Sequence, residues 1–118
     1  MPPPKPWTSG ATASSTIGPI VIAVPAGHEH EAERAAGQAA PGATVAVIAG
    51  GLTRAASVEL ALERVGGDVV AIHDAARPLI TAALVDRVIE RLESDPEADA
   101  AIAAAPISDT VKRAGASR

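Results

Sequence analysis

The chain has 118 residues, 47% of them hydrophobic and 20% charged, which suits one small globular domain. A single aromatic residue and a formal net charge of −4 exclude the basic, aromatic-bearing surfaces that bind nucleic-acid polymers. The absence of cysteine excludes disulfides and thiolate metal sites, and the apolar runs, such as residues 20–24, are far too short to cross a bilayer. We therefore expect a cytoplasmic protein that is not bound to a membrane and has an aliphatic core.

The first half of the chain alternates between strand and helix patterns. Residues 1–16 are rich in Pro, Ser, Thr and Gly, which predicts a disordered tail. An apolar run at 19–24 predicts a strand that ends at a Pro-Ala-Gly turn. Alanines at helical spacing predict a helix over 28–40, and residues 44–48 predict a second strand that stops at a Gly-Gly pair.

The second half continues this alternation. Apolar residues at i, i+3, i+4 and i+7 from Val58 predict a helix that ends at another Gly-Gly pair. Residues 69–72 predict a third strand. Thr81 is expected to cap a helix that stops at Asp95, and residues 99–105 predict a fourth strand.

Short apolar strands that alternate with helices predict an α/β fold with a mostly parallel sheet. Ligands of such folds bind beyond the carboxyl ends of the strands. The loops of interest are therefore 49–57, 73–78 and 106–113.

The first loop contains the sequence GGLTRAASV. Gly50 and Gly51 allow a flat ligand to approach the backbone closely. Arg54 supplies a planar guanidinium group with a permanent positive charge. Ser57 offers a small hydroxyl group that can donate and accept a hydrogen bond near the start of a helix. The alternative is a tight turn followed by a helix cap without any ligand.

The second loop contains the sequence HDAARP. The Asp74 carboxylate suits Mg²⁺, Arg77 can pair with phosphate oxygens, and Pro78 fixes the backbone as the chain leaves. The alternative is a structural Asp-Arg salt bridge beside a hydrogen-bonded His73.

The third loop contains the sequence PISDTVKR. Asp109, Thr110, Lys112 and Arg113 place an acid, a hydroxyl and two cations at a predicted strand end, which suits a phosphorylated polyol. The alternative is a charged loop that faces only solvent.

In chain order, the GGLTRAASV, HDAARP and DTVKR motifs resemble those of the 2-C-methyl-D-erythritol 4-phosphate cytidylyltransferases of the non-mevalonate isoprenoid pathway. The resemblance covers residues 17–113 and implies a partial nucleotidyltransferase domain, with a Rossmann-like, doubly wound, mostly parallel sheet. It also implies an enzyme, homodimeric in its full-length form, that joins CTP to methylerythritol phosphate with Mg²⁺ and releases pyrophosphate.

The resemblance implies roles for individual residues. The implied nucleotide-binding residues are Gly50, Gly51, Arg54, Ser57 and Asp74. The implied substrate-binding residues are Ala75, Arg77, Asp109, Thr110 and Lys112. Asp74 would also hold the Mg²⁺, and Thr110 would reach the substrate phosphate from the other subunit. No catalytic residue is assigned.

The chain departs from the family pattern at both ends. Family members open with an AAGxGxRxG loop and a proline–lysine pair that hold the triphosphate and supply the principal catalytic Arg and Lys, and Lys5 is not assigned that role. The family continues beyond DTVKR, so residues 114–118 are interpreted as a truncated end. The first family strand lies between those at 19–24 and 69–72. We therefore expect unpaired backbone groups there, and a chain that by itself is marginally folded and without transferase activity.

Two alternative functions remain open at this point. A ribitol-5-phosphate cytidylyltransferase would differ only in its acceptor. A non-catalytic nucleotide-binding or interaction module would have kept the base-binding loop and lost the catalytic one. An in-frame AAGxGxR segment upstream would favour an enzyme, whereas a genuine start and stop codon with an expressed product would favour the module.

Overall fold

Five helices and strands make up the part of the chain that the computed structural model describes, residues 17–113 and 115. In chain order they are β1 (Ile20–Val24), α1 (Glu29–Ala39), β2 (Val45–Ala49), α2 (Arg54–Leu62) and α3 (Ala82–Glu93). The tail predicted at 1–16 lies outside the described residues, as does the predicted end at 114–118 apart from residue 115. Within the described part, no helix has the length and apolar content needed to cross a membrane.

The two strands and the helix between them form a parallel unit. Ile20 pairs with Val45 and Val24 with Ala49, so β1 and β2 end at the same edge. The Gly50 N–H donates to the Val24 carbonyl at 2.7 Å and extends the ladder by one residue. Helix α1 packs against both strands, and α2 packs against β1. The α/β class with a parallel sheet, predicted from the sequence, is confirmed.

Helix α1 follows the alanine pattern that predicted it. Within the helix, Ala36 is buried, whereas Ala35, which the pattern placed on the same face, is exposed. A Pro-Gly turn follows the helix, and Gly42 adopts a φ of 89° there, a conformation that residues with a Cβ rarely take. The turn directs the chain from α1 into β2.

Threonine side chains cap the other two helices. The Thr53 Oγ1 accepts a hydrogen bond from the Ala56 N–H at 3.1 Å, and the Thr81 Oγ1 accepts one from the Leu84 N–H at 3.2 Å. Each cap satisfies one N–H of the first helical turn. The cap at Thr81 was predicted and is confirmed. Helix α2 ends before Val65, the last residue of its predicted apolar face.

The core of the described part is small. Its buried apolar residues are Ala36, Val85 and Ile89. Several aliphatic side chains are mostly exposed instead: Leu52, Leu79, Ile102, Ile107 and Val111. Because hydrophobic stabilisation grows with the apolar area removed from water, we expect this arrangement to have modest stability.

The strands predicted at 69–72 and 99–105 are not formed, and this part of the prediction is wrong. Both segments lack regular structure, and the sheet of the described residues consists of β1 and β2 alone. A strand exists only where a neighbour accepts and donates its backbone hydrogen bonds, and neither segment has such a neighbour there. Ile72, expected to be buried, is 56% exposed. The apolar pattern indicated that these segments are buried, but it carried no information on whether a neighbouring strand is present to pair with them.

Candidate functional site

The glycine loop after β2 folds back onto the first turn of α2. The Gly51 N–H donates to the Ser57 Oγ at 3.0 Å, and the Ser57 hydroxyl donates to the Thr53 carbonyl at 3.0 Å. Ser57 therefore braces the loop from within the helix. Sequence reasoning missed Thr53, although a threonine immediately before a helical pattern is a recognised cap signal.

Both glycines are required by close packing inside this loop. A Cβ at Gly50 would lie 2.7 Å from the Ser57 Oγ, and a Cβ at Gly51 would lie 2.5 Å from the Ala56 Cβ. Such contacts are shorter than carbon and oxygen atoms tolerate, so any side chain would push the loop off α2. The close approach of a ligand to these glycines stays a prediction.

Replacing Gly51 with alanine should destabilise the protein. We expect the free energy of unfolding to fall by about 1–3 kcal/mol, because the added methyl group collides with Ala56. The matched control is Gly37→Ala in α1, where a Cβ would meet nothing within 4 Å. This control should raise the free energy of unfolding by about 0.5–1 kcal/mol. Urea titrations followed by circular dichroism measure both, and equal shifts would contradict the packing described here.

An ion pair joins the glycine loop to the turn after residues 69–72. Arg54 is the first residue of α2, and its Nε and Nη2 lie 2.8 and 2.7 Å from the Asp74 Oδ1. The Arg77 Nε lies 3.5 Å from the Asp74 Oδ2, and the Arg77 N–H closes a turn on the Asp74 carbonyl at 3.0 Å. Three residues predicted to serve one site are thus brought together.

The carboxyl group of Asp74 is ionised at neutral pH. The hydrogen bond from Arg54 holds the pKa of Asp74 below its ordinary value, although partial burial opposes that shift. The charges of Arg54, Arg77 and His73 lower the same pKa further. The Asp74 side chain is 37% exposed, so solvent screens these interactions.

His73 lies beside this cluster with an unsatisfied ring nitrogen. Its Nε2 is buried and has no hydrogen-bond partner among the described residues. The structural alternative foreseen from the sequence was an Asp-Arg salt bridge beside a satisfied histidine. The salt bridge is present, whereas the histidine lacks its partner within the described part of the chain.

No hydrogen bond or ion pair between described residues joins the third loop to this cluster. Asp109, Thr110 and Lys112 are exposed, in a segment without regular structure. They make no hydrogen bond or ion pair with other described residues. Ala75 is exposed in the turn that joins Asp74 to Arg77. The predicted roles of these four residues are not tested by the structure.

Asp74 suits a magnesium ion only in combination with another ligand. No group of three or more histidine, cysteine, aspartate or glutamate side chains positioned for a metal occurs in the described ranges. Mg²⁺ is commonly held by one or two carboxylates together with phosphate oxygens, and a single ionised aspartate fits that pattern. Asp74 therefore suits one position in the coordination of such an ion, and the other ligands would come from outside the described residues.

Comparisons with known proteins identify the family of this chain. The model of the family described as "IspD: 2-C-methyl-D-erythritol 4-phosphate cytidylyltransferase" matches residues 7–118. A "Bifunctional enzyme IspD/IspF" of Anaeromyxobacter dehalogenans (strain 2CP-C) is 45% identical over 104 residues, which are 88% of this chain and 26% of that protein. A "2-C-methyl-D-erythritol 4-phosphate cytidylyltransferase" of Solibacter usitatus (strain Ellin6076) is 41% identical over 103 residues, 86% of this chain and 41% of that protein. The chain thus spans well under half of these relatives. It belongs to the 2-C-methyl-D-erythritol 4-phosphate cytidylyltransferase family.

Proposed function

We propose that this chain forms the cytidine-binding wall and part of the phosphate-binding wall of an enzyme that joins CTP to 2-C-methyl-D-erythritol 4-phosphate. The observation that carries the proposal is the ion pair between Arg54 and Asp74. It links the two motifs that are most typical of the family, at the loop that follows the carboxyl end of a parallel strand. Such strand ends are where α/β folds bind nucleotides.

The proposed reaction is an in-line phosphoryl substitution. A phosphate oxygen of the acceptor attacks the α-phosphorus of CTP, a new P–O bond forms, and the bond to the β-phosphate oxygen breaks to release pyrophosphate. The protein forms no covalent bond with the substrate in this reaction. Its contribution is to orient the two substrates and to neutralise the negative charge that develops.

The residues of the cluster divide this work. Gly51 and Ser57 would meet the cytosine through the loop that they brace. Arg77 would lie where the acceptor phosphate meets the triphosphate of CTP, and it would contact a phosphate of each substrate. Asp74 would hold the Mg²⁺ that accompanies the triphosphate, and the ion when bound would neutralise phosphate charge. Thr110, with Asp109 and Lys112, would reach the acceptor phosphate across a homodimer. The expected cytoplasmic location accords with these substrates.

Calorimetry of Mg²⁺·CTP against the chain tests the proposal. We expect CTP to bind more tightly than UTP, because the loop is proposed to read the base. Arg77→Ala should weaken CTP binding about tenfold, as loss of one charge-assisted hydrogen bond does. Arg64→Ala, which removes an exposed arginine outside the cluster, is the matched control. Equal affinity for CTP and UTP, or an Arg77→Ala variant that binds like the control, would contradict the proposal.

The acceptor separates this function from its nearest alternative. Methylerythritol phosphate and ribitol 5-phosphate both present a phosphate on a short polyol, so the phosphate contacts proposed here do not separate the two acceptors. A preference for methylerythritol phosphate in pyrophosphate release by the full-length enzyme would support the proposed substrate. A preference for ribitol 5-phosphate would support the alternative.

A further inference from the structure

The two carboxylate oxygens of Asp74 have different surroundings. Both the Nε and the Nη2 of Arg54 converge on the Oδ1, at 2.8 and 2.7 Å. Among the described residues, the Oδ2 contacts only the Arg77 Nε, at 3.5 Å, which is longer than the 2.7–2.9 Å typical of charge-assisted hydrogen bonds. An arginine guanidinium frequently donates one hydrogen bond to each oxygen of a carboxylate. In this protein the Asp74 Oδ1 has two close contacts from Arg54, whereas the Oδ2 has one longer contact from Arg77.

The two arginines are also held differently by the backbone. Arg54 begins α2, where the Thr53 cap fixes the first helical turn. Arg77 lies at the end of a short turn, with its side chain 80% exposed. Arg54 is therefore placed by a helix, whereas the Arg77 side chain has little around it to restrict its position. A side chain with few contacts can move to a ligand at low free-energy cost.

We propose that Arg54 is a positioning residue, which holds Asp74 by its Oδ1 so that the Oδ2 alone faces the ligand, and that Arg77 leaves Asp74 to bind a phosphate. The inference rests on the proposed function, since the ligand is taken to be a nucleotide triphosphate with its divalent cation. Beyond that function, Arg54 makes no direct contact with the ligand and affects its binding only by positioning Asp74. A metal ion should therefore change the loss of ligand affinity caused by replacing Arg54, but not the loss caused by replacing Arg77.

The affinity of the chain for CTP with and without Mn²⁺, a probe for Mg²⁺, distinguishes these roles. Arg54→Met should weaken CTP binding about tenfold more in the presence of Mn²⁺ than in its absence, the order expected when the support of a metal-binding carboxylate is lost. Arg77→Met should weaken binding equally under both conditions, because a phosphate contact does not require the metal. Arg54→Lys keeps the charge without the two-donor fork and should recover only part of the Mn²⁺-dependent affinity.

Three results would overturn the inference. An equal loss with and without Mn²⁺ in Arg54→Met would mean that Arg54 contacts the nucleotide itself. Full recovery in Arg54→Lys would mean that charge alone matters. A wild-type chain that binds no CTP under either condition would overturn the proposed function together with this inference, whereas the first two results leave that function standing.

A spectroscopic measurement keeps the inference testable if Arg54→Met fails to fold. In the wild-type chain, the ¹H NMR signal of the Arg54 Nε–H should lie downfield of the Arg77 signal, because Arg54 makes the shorter hydrogen bond to Asp74. Asp74→Asn should move the Arg54 signal more than the Arg77 signal. Coincident signals in the wild type, or equal movements in the variant, would overturn the proposed difference between the two arginines.

Discussion

Replacing Asp74 with asparagine should weaken the binding of Mg²⁺·CTP about 100-fold, the upper end of what loss of a group supporting a metal site costs. The substitution keeps the shape of the side chain but removes the negative charge proposed to hold the cation. It also leaves Arg54 and Arg77 without their shared counter-charge. Calorimetric titration of CTP at fixed Mg²⁺ concentration measures the change.

Asp68→Asn is the control for this experiment. Asp68 is an exposed aspartate that makes no ion pair within the described part of the chain, so its loss removes the same charge away from the cluster. We expect the control to bind Mg²⁺·CTP like the wild type. An Asp74→Asn variant that matches the control would place the cation elsewhere and remove Asp74 from the proposed site.

Replacing Ile89 with alanine should lower the free energy of unfolding by about 2–5 kcal/mol, the range found for truncation of large buried aliphatic side chains. Ile89 is 8% exposed, and it is one of the buried apolar residues of a small described core. A domain with modest stability can lose most of its folded population from one such change. Urea denaturation followed by far-UV circular dichroism gives the expected fall in the unfolding midpoint.

Leu79→Ala is the control for the core. Leu79 is 92% exposed, so its truncation removes little buried area and should change the free energy of unfolding by no more than about 0.5 kcal/mol. Equal midpoints for the two variants would mean that α3 contributes no packing to the folded state. A larger effect for Leu79 would mean that this side chain is covered in solution.

Elements specified by short-range signals were predicted well from the sequence. Strands β1 and β2 follow from apolar runs bounded by turns, and α3 follows from the Thr81 cap and a regular apolar stripe. The segments at 69–72 and 99–105 have equally good local patterns but form no strand. Strand formation depends on a neighbouring backbone, which a pattern within one segment does not report.

The same distinction applies to the site. Asp74 and Arg77 were singled out from residue type and from their neighbours in the sequence, although the strand expected to precede them is not formed. The pairing of Asp74 with Arg54 was not foreseen, because the two lie 20 residues apart and meet only in the folded chain. The hydrogen bond between Gly51 and Ser57 was missed for a different reason: the sequence suggested either a ligand or a tight turn with a helix cap, and neither identifies a side-chain partner for the Gly51 N–H.

The hydrogen bond from the Gly50 N–H to the Val24 carbonyl has a thermodynamic consequence for recognition. It fixes the start of the glycine loop to the sheet, while Ser57 fixes the next residue to α2. Ordering a mobile loop on binding costs conformational entropy, which subtracts from affinity. Because this loop is tied to two rigid elements before any ligand arrives, it is preorganised, and the contacts proposed with a base would contribute to affinity with little entropic loss.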